Sequence, residues 1–230
     1  MQKKLEELVE KTGVWPLAAG AGLAFIAGTA WYVGVFKKVA ISEKSFEGGT
    51  FIYASYQGSV RSIYKGFKPV FEALAQFRKD FKDVAPKDVP ITGIYYDNPN
   101  ELQDQNQFRA DIGFLLEQGK FSEDAIKATV EYFTKNEGIK IKLLPSAQSV
   151  HGTFPFRCAL PSYALGASKF YPAMETYMTA KKEKFDPIFS GIESPGAIEI
   201  NRDGQIQYFV PFENVREFSL TEYAKPAKKQ

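Results

Sequence analysis

A single cysteine, Cys158, and a single histidine, His151, leave this chain of 230 residues with little of the chemistry that sulfur and imidazole supply. One thiol makes no internal disulfide, and one thiol with one imidazole falls short of the ligand set of a structural zinc site. No cofactor and no structural metal are therefore expected. Excess charge of one sign is also missing: 29 basic residues against 27 acidic give a net charge of +2, spread evenly, so no basic stripe points to nucleic acid. A phosphate loop, a dinucleotide fingerprint, a G-x-S-x-G elbow and an H-E-x-x-H zinc pattern are all absent. Cys158 and His151 make a poor nucleophile and base, because seven residues of alternation put them on opposite faces of a strand and no third group is recognisable. No enzymatic activity is expected.

What the chain does have is an apolar run. Residues 14 to 36, VWPLAAGAGLAFIAGTAWYVGVF, carry no charge. At about 1.5 Å per residue a helix of that length reaches about 34 Å, against a hydrocarbon core of about 30 Å, so the run is predicted to be a transmembrane helix. Trp15 near one end and Trp31 with Tyr32 near the other suit the membrane interface. Residues 1 to 13 form an amphipathic leader in which Glu6, Glu7 and Glu10 offset Lys3, Lys4 and Lys11, too acidic for a transit peptide. The reading is a single-pass, uncleaved anchor. Lysines flank both ends, so charge leaves its orientation open. Gly20, Ala24 and Gly28 fall on one face, either as a contact for a partner helix or as filler of the span.

After a linker over 37 to 49 the chain turns mixed, and its 44% hydrophobic content is enough for one well-buried domain beside the appendage. A pattern then appears twice. TFIYASYQ (50 to 57) reads as a strand, 59 to 81 as a helix with Ser59 as its cap and Pro69 as a kink or break, and 91 to 97 and 107 to 115 as strands. SVHGTFPF (149 to 156) repeats the strand, 160 to 182 the helix, and 196 to 201 with 205 to 212 the strand pair, a hairpin around Arg202-Asp203-Gly204. An amphipathic helix over 122 to 136 and a strand over 138 to 144 lie between the copies. Residues 216 to 230 read as a solvated basic tail.

Three patches in this frame carry a resemblance. Tyr95-Tyr96-Asp97-Asn98-Pro99, YPAMETY (171 to 177) and QIQYFVPF (205 to 212), in that order, resemble the testis-expressed ER-phagy receptor family, membrane-anchored proteins with a gyrase-inhibitor-like (GyrI-like, effector-binding) domain. The resemblance implies an α+β fold over residues 50 to 215: two β-α-β-β repeats in one antiparallel sheet, helices on one face, and a groove on the other where the halves meet. Members that bind cationic drugs or hydrolyse small molecules have an acid in the last strand, two before an aromatic and four before a proline. That position is Gln207 here, followed by Phe209 and Pro211. A neutral amide neither balances a cation nor acts as a base.

Alternation assigns the sheet faces. Phe108, Ala110, Ile112 and Phe114, then Val150 and Phe154, then Ile198 and Ile200, then Ile206, Tyr208 and Val210 are expected under the helices. Their alternates Arg109, Asp111, His151, Glu199, Gln207 and Phe209 are the candidate groove residues, with a solvated or partner-covered sheet face as the alternative. The family's autophagy role uses a long tail with an aromatic-x-x-aliphatic motif, whereas this chain continues from Phe212 only to Gln230. FDPI (185 to 188), in the loop before the last hairpin, has that pattern with an acid inside it, but FKPV, FKDV and FENV have the pattern too, as chance matches do. The expectation is therefore a scaffold on an organelle membrane, an accessory subunit of a larger complex in the mitochondrial inner membrane or the ER membrane. Its partners would be lipid and other subunits, met through the transmembrane helix and the sheet face. An ER-phagy adaptor, and a small-molecule sensor or hydrolase using the groove, are the alternatives.

Overall fold

The structure is a computed structural model that describes residues 14–98, 101–192 and 194–220, with the side chains of 14–18, 21 and 160 outside the description. The leader over 1–13 and the end of the basic tail lie outside the described residues. Eight antiparallel strands form one sheet in the order β1-β6-β8-β7-β3-β4-β2-β5, where β1 is Ser42–Phe46, β2 Gly49–Gly58, β3 Ile91–Tyr95, β4 Phe108–Glu117, β5 Lys140–Leu144, β6 Ala147–Pro155, β7 Ala197–Arg202 and β8 Gln205–Pro211. The helices are α1 (Val14–Tyr32), α2 (Tyr64–Asp80), α3 (Glu123–Phe133), α4 (Ala159–Ala180) and α5 (Lys182–Phe189). Each repeat supplies strand, helix, strand, strand. The fold is α+β, with a curled antiparallel sheet and α2 to α5 on one face.

The halves meet where β3 pairs with β7, from Ile91 opposite Asn201 to Tyr95 opposite Ala197. The sheet curls because two short links tie its far ends together. β1 passes to β2 through Glu47 and Gly48, and β5 passes to β6 through Pro145 and Ser146. Gly48 takes φ +76°, and a Cβ there would stand 2.6 Å from the Leu144 carbonyl oxygen, so only glycine lets the two links cross this closely.

Both faces of the curl are buried. On the helix face, Ile52, Phe114, Val70, Leu74, Phe77 and Phe133 pack under α2 and α3, and Val150, Phe154, Phe170, Ile206 and Tyr208 pack under α4. The inner face holds Phe46, Phe51, Tyr53, Ile94, Leu115, Ile198, Ile200 and Phe209. It is closed by Phe218, 1% exposed, whose ring sits 5.8 Å from that of Phe46.

Several expectations are corrected here. Residues 37–49 are not merely a linker: β1 is hydrogen-bonded to β6, and the charged alternation of Ser42-Glu43-Lys44 marks an edge strand. The helix expected over 59–81 opens with a short 3-10 turn, and α2 runs unbroken through Pro69. FDPI lies in α5, not in a loop, with Phe185 2% exposed. The beginning of the expected tail belongs to the fold, since Phe218 is buried.

The predicted transmembrane run is helical only over Val14–Tyr32, and among the described residues no helix is long and apolar enough to cross a membrane. The helix stops at Gly34, which takes φ +89°: its N–H reaches the Trp31 carbonyl at 3.2 Å while Val35 N–H reaches the Ala30 carbonyl at 2.9 Å, a Schellman cap. Gly20, Ala24 and Gly28 are exposed, with nothing within 4 Å of a Cβ built on either glycine.

A buried ion pair fixes the junction of the halves. The Arg109 guanidinium grips Asp97 through Nη2 to Oδ1 at 2.5 Å and Nε to Oδ2 at 2.8 Å, with side chains 2% and 6% exposed. Arg109 Nη2 also donates to Ser194 Oγ at 3.1 Å, and its backbone N–H donates to Asp97 Oδ2 at 2.9 Å. Replacing Asp97 by alanine removes the carboxylate that grips this buried guanidinium and is expected to destabilise the fold by about 3–5 kcal/mol, read as a lower urea midpoint. An unchanged midpoint would show the pair to be dispensable.

Candidate functional site

α2 packs chiefly on β2 and β4, and α4 on β6 and β8, which leaves the central strands β3 and β7 under the seam between the two helices. Alternation and register put Gly93 and Tyr95 of β3, and Ala197, Glu199 and Asn201 of β7, on the floor of that seam. Tyr208 of β8 lies opposite Glu199. From above, α4 adds Tyr163, Phe170 and Tyr171, a stripe at i, i+7 and i+8. On the far side Tyr95 stands beside Phe108, ring centres 6.0 Å apart, and Phe67 of α2 and Tyr56 pack into the same cluster.

Glu199 is the charge at the centre of this aromatic wall. It is 8% exposed and accepts a hydrogen bond from the Tyr171 hydroxyl at 2.9 Å. Burial pushes its carboxyl up to about 7, with Tyr171 pulling weakly the other way. Burial, with Glu199 nearby, in turn holds the hydroxyls of Tyr95, Tyr171 and Tyr208 above their ordinary range. Tyr163 accepts from Asn201 Nδ2 at 3.1 Å, whereas the buried Tyr208 hydroxyl has no hydrogen-bond partner among the described residues. Gly93, directly across from Glu199, contributes no side chain to the floor, and the space a Cβ would take is filled by the Tyr95 ring, 2.8 Å away.

The candidate groove residues do not form one polar face. Arg109, Asp111, His151, Gln207 and Phe209 share the inner face, but Glu199 is on the helix face while Ile198 and Ile200 line the inner core. Alternation sorts a strand into two sets without saying which set meets the helices, and on β7 both sets are buried. Arg109 is occupied by Asp97, and Asp111 accepts from the Tyr96 hydroxyl at 2.7 Å. The His151 ring lies tilted beside Phe209 with ring centres 4.8 Å apart, and among the described residues its buried Nε2 has no partner. Burial, then the nearby Lys44, pulls its imidazole down to about 4. The open sheet face expected to receive partner subunits is instead filled by apolar side chains. Cys158 is exposed at the N-cap of α4, away from His151 on the inner face. Among the described residues no cluster of three His, Cys, Asp or Glu is placed to hold a metal.

Tyr95, Tyr163, Tyr171 and Tyr208 were not among the residues predicted for the site. For Tyr95, Tyr171 and Tyr208 the signal lay in the YYDNP, YPAMETY and QIQYFVPF patches, which fold against one another, whereas Tyr163 lies in none of them.

No protein-family model and no curated protein matches the chain. Solved structures similar to it include EcmrR in an EcmrR–DNA complex, at 10% identity over 91% of this chain and 67% of that one, TM-score 0.44. The EcmrR C-terminal domain is similar at 12% identity over 75% and 96%, TM-score 0.42. A hydrolase from Listeria innocua is similar at 12% identity over 76% and 93%, TM-score 0.46. None of the three is a testis-expressed or ER-phagy receptor. Likeness of this degree carries no functional argument.

The raised carboxyl of Glu199 has a definite sign. Its folded value of about 7 lies above the ordinary 4.5, so the folded state holds the proton more tightly. Its contribution is therefore most favourable below pH 4.5 and is lost as pH rises through 7. Glu199→Gln, the neutral isostere, is expected to raise Tm by several degrees at pH 8 and to leave it unchanged at pH 4. Equal effects at both pH values would contradict this origin.

Proposed function

We propose that the chain is a non-enzymatic binding module whose site is the tyrosine-walled seam at Glu199, taking a small lipophilic organic cation. One observation carries this reading: Glu199 is a buried carboxylate beside which no cationic side chain stands among the described residues, and its one hydrogen-bond donor among them is Tyr171. Such a group needs either a proton or a positive charge. Tyrosine faces attract a desolvated cation through their quadrupoles, so the wall and the carboxylate select the same chemistry. Entry of a cation would drive off the proton that Glu199 holds near neutral pH. Gln207, at the position where the resemblance calls for an acid, supplies no charge for a cation, so in this reading the balancing carboxylate is Glu199 on the other face of the sheet.

A second reading concerns where this module is held. We propose that α1 anchors it in an organelle membrane, mitochondrial inner or ER, as an accessory subunit of a larger complex, with an ER-phagy-type adaptor as the alternative. Leu23, Phe25, Ile26 and Trp31 are 64–76% exposed and point away from α1 in several directions, the surface of a helix made for apolar surroundings. Helices of other subunits would pack against these exposed side chains. The burial of Phe185 weighs against the adaptor, because a motif that pairs with a partner as an extended strand is here helical and inside the core.

Tetraphenylphosphonium, a lipophilic aromatic cation, tests the first reading. It is expected to raise the Tm of the wild type at pH 8, since a ligand that prefers the folded state stabilises it, and to leave Glu199→Gln unshifted. A wild type that does not respond at millimolar cation ends the proposal.

A further inference from the structure

Where α1 leaves the domain, the chain does not swing free. Gly34 is wedged against β6, with a Cβ position only 2.9 Å from the Phe154 ring and 3.3 Å from Pro155. Lys169 of α4 donates to the Val35 carbonyl at 2.7 Å, and the Arg157 guanidinium lies 5.9 Å over the Tyr32 ring. Lys37 and Lys38 follow immediately, both exposed, as is Arg157. The same spot exposes Trp31 at 74%, Tyr32 at 55% and Phe36 at 69%. Four cations thus ring the foot of an apolar helix among outward-facing aromatic rings. The β7–β8 turn brings one carboxylate to this end, because Phe156 N–H bonds to the Gly204 carbonyl, but Asp203 is met by Arg202 at 3.7 Å.

We infer that this surface is a seat for anionic lipid headgroups. The inference rests on the membrane reading of α1 and adds to it a preferred lipid charge and a fixed pose. Aromatic rings and exposed aliphatics suit the interfacial layer, and long cationic side chains beside them reach phosphate oxygens while their stems stay in apolar contact. The Schellman cap and the Lys169 bond hold the helix against β6 and α4, so the same end of the domain always faces the headgroups. A protein partner offers no comparable match to a helix that is apolar on several sides and cationic only at its foot.

The test uses the full chain with vesicles of neutral phosphatidylcholine and with vesicles carrying about 30% phosphatidylserine, where each cation near the surface adds about fivefold to partitioning. The wild type is expected to bind the neutral vesicles and to bind the anionic ones at least tenfold better, a preference lost at about 0.5 M salt as screening shortens. Lys37→Gln, Lys38→Gln and Arg157→Gln together, all exposed side chains, are expected to reduce the preference to twofold or less while binding to neutral vesicles persists. Equal binding of the wild type to both vesicles overturns the seat and leaves the anchor standing, and so does a triple variant that keeps the full preference. Failure to bind either vesicle overturns both.

Discussion

The antiparallel ladder between β3 and β7 is the constraint on which the rest of the molecule depends. It joins the two repeats, and its register alone sets Gly93 across from Glu199. Arg109 clamps one end of that ladder: it holds Asp97, just past β3, and Ser194, just before β7, while itself sitting near the start of β4. A slip of one residue would turn Glu199 into the inner core and bring Ile198 into the seam. The clamp makes the alternative expensive, since it would also pull a buried guanidinium away from the carboxylate that grips it.

The repeat was legible because it is local. Strand alternation, the helix period and the turn at Arg202-Asp203-Gly204 are written within a few residues of where they act. What could not be read is non-local. β1 is too polar to announce itself, and it becomes a strand only because β6, distant in sequence, offers its edge. The facing of β7 was equally hidden, because Ile198 and Ile200 look like residues for the helix side, yet they are needed by Phe209 and Phe46 on the inner side. Phe218 looked like part of a solvated terminus for the same reason. The candidate site suffered most, since its carboxylate comes from one strand and its tyrosines from three other elements.

Two buried titratable groups on opposite faces of one sheet pull the stability curve in opposite directions. His151 is held below its ordinary value of 6.5, so its favourable contribution is complete above that pH and fades as pH falls towards about 4. Glu199 does the reverse over an overlapping window. Their partial cancellation keeps the fold tolerant of mildly acidic conditions although each group alone is poorly housed. The discomfort of Glu199 is also what makes it useful, because a carboxylate already satisfied by the protein has nothing to offer a ligand.

The closure of the inner face by Phe218 sets an order of events during synthesis. Strands β1 to β8 can pair as they emerge, but the inner face they curl around stays uncovered until residue 218 has followed them. Until then the folding sheet would carry an aromatic-lined trough and an unshielded α1 at the same time. Both are surfaces that chaperones recognise. Phe218 is thus the ring that ends the exposure of the trough, and it leaves α1 as the apolar surface still to be covered.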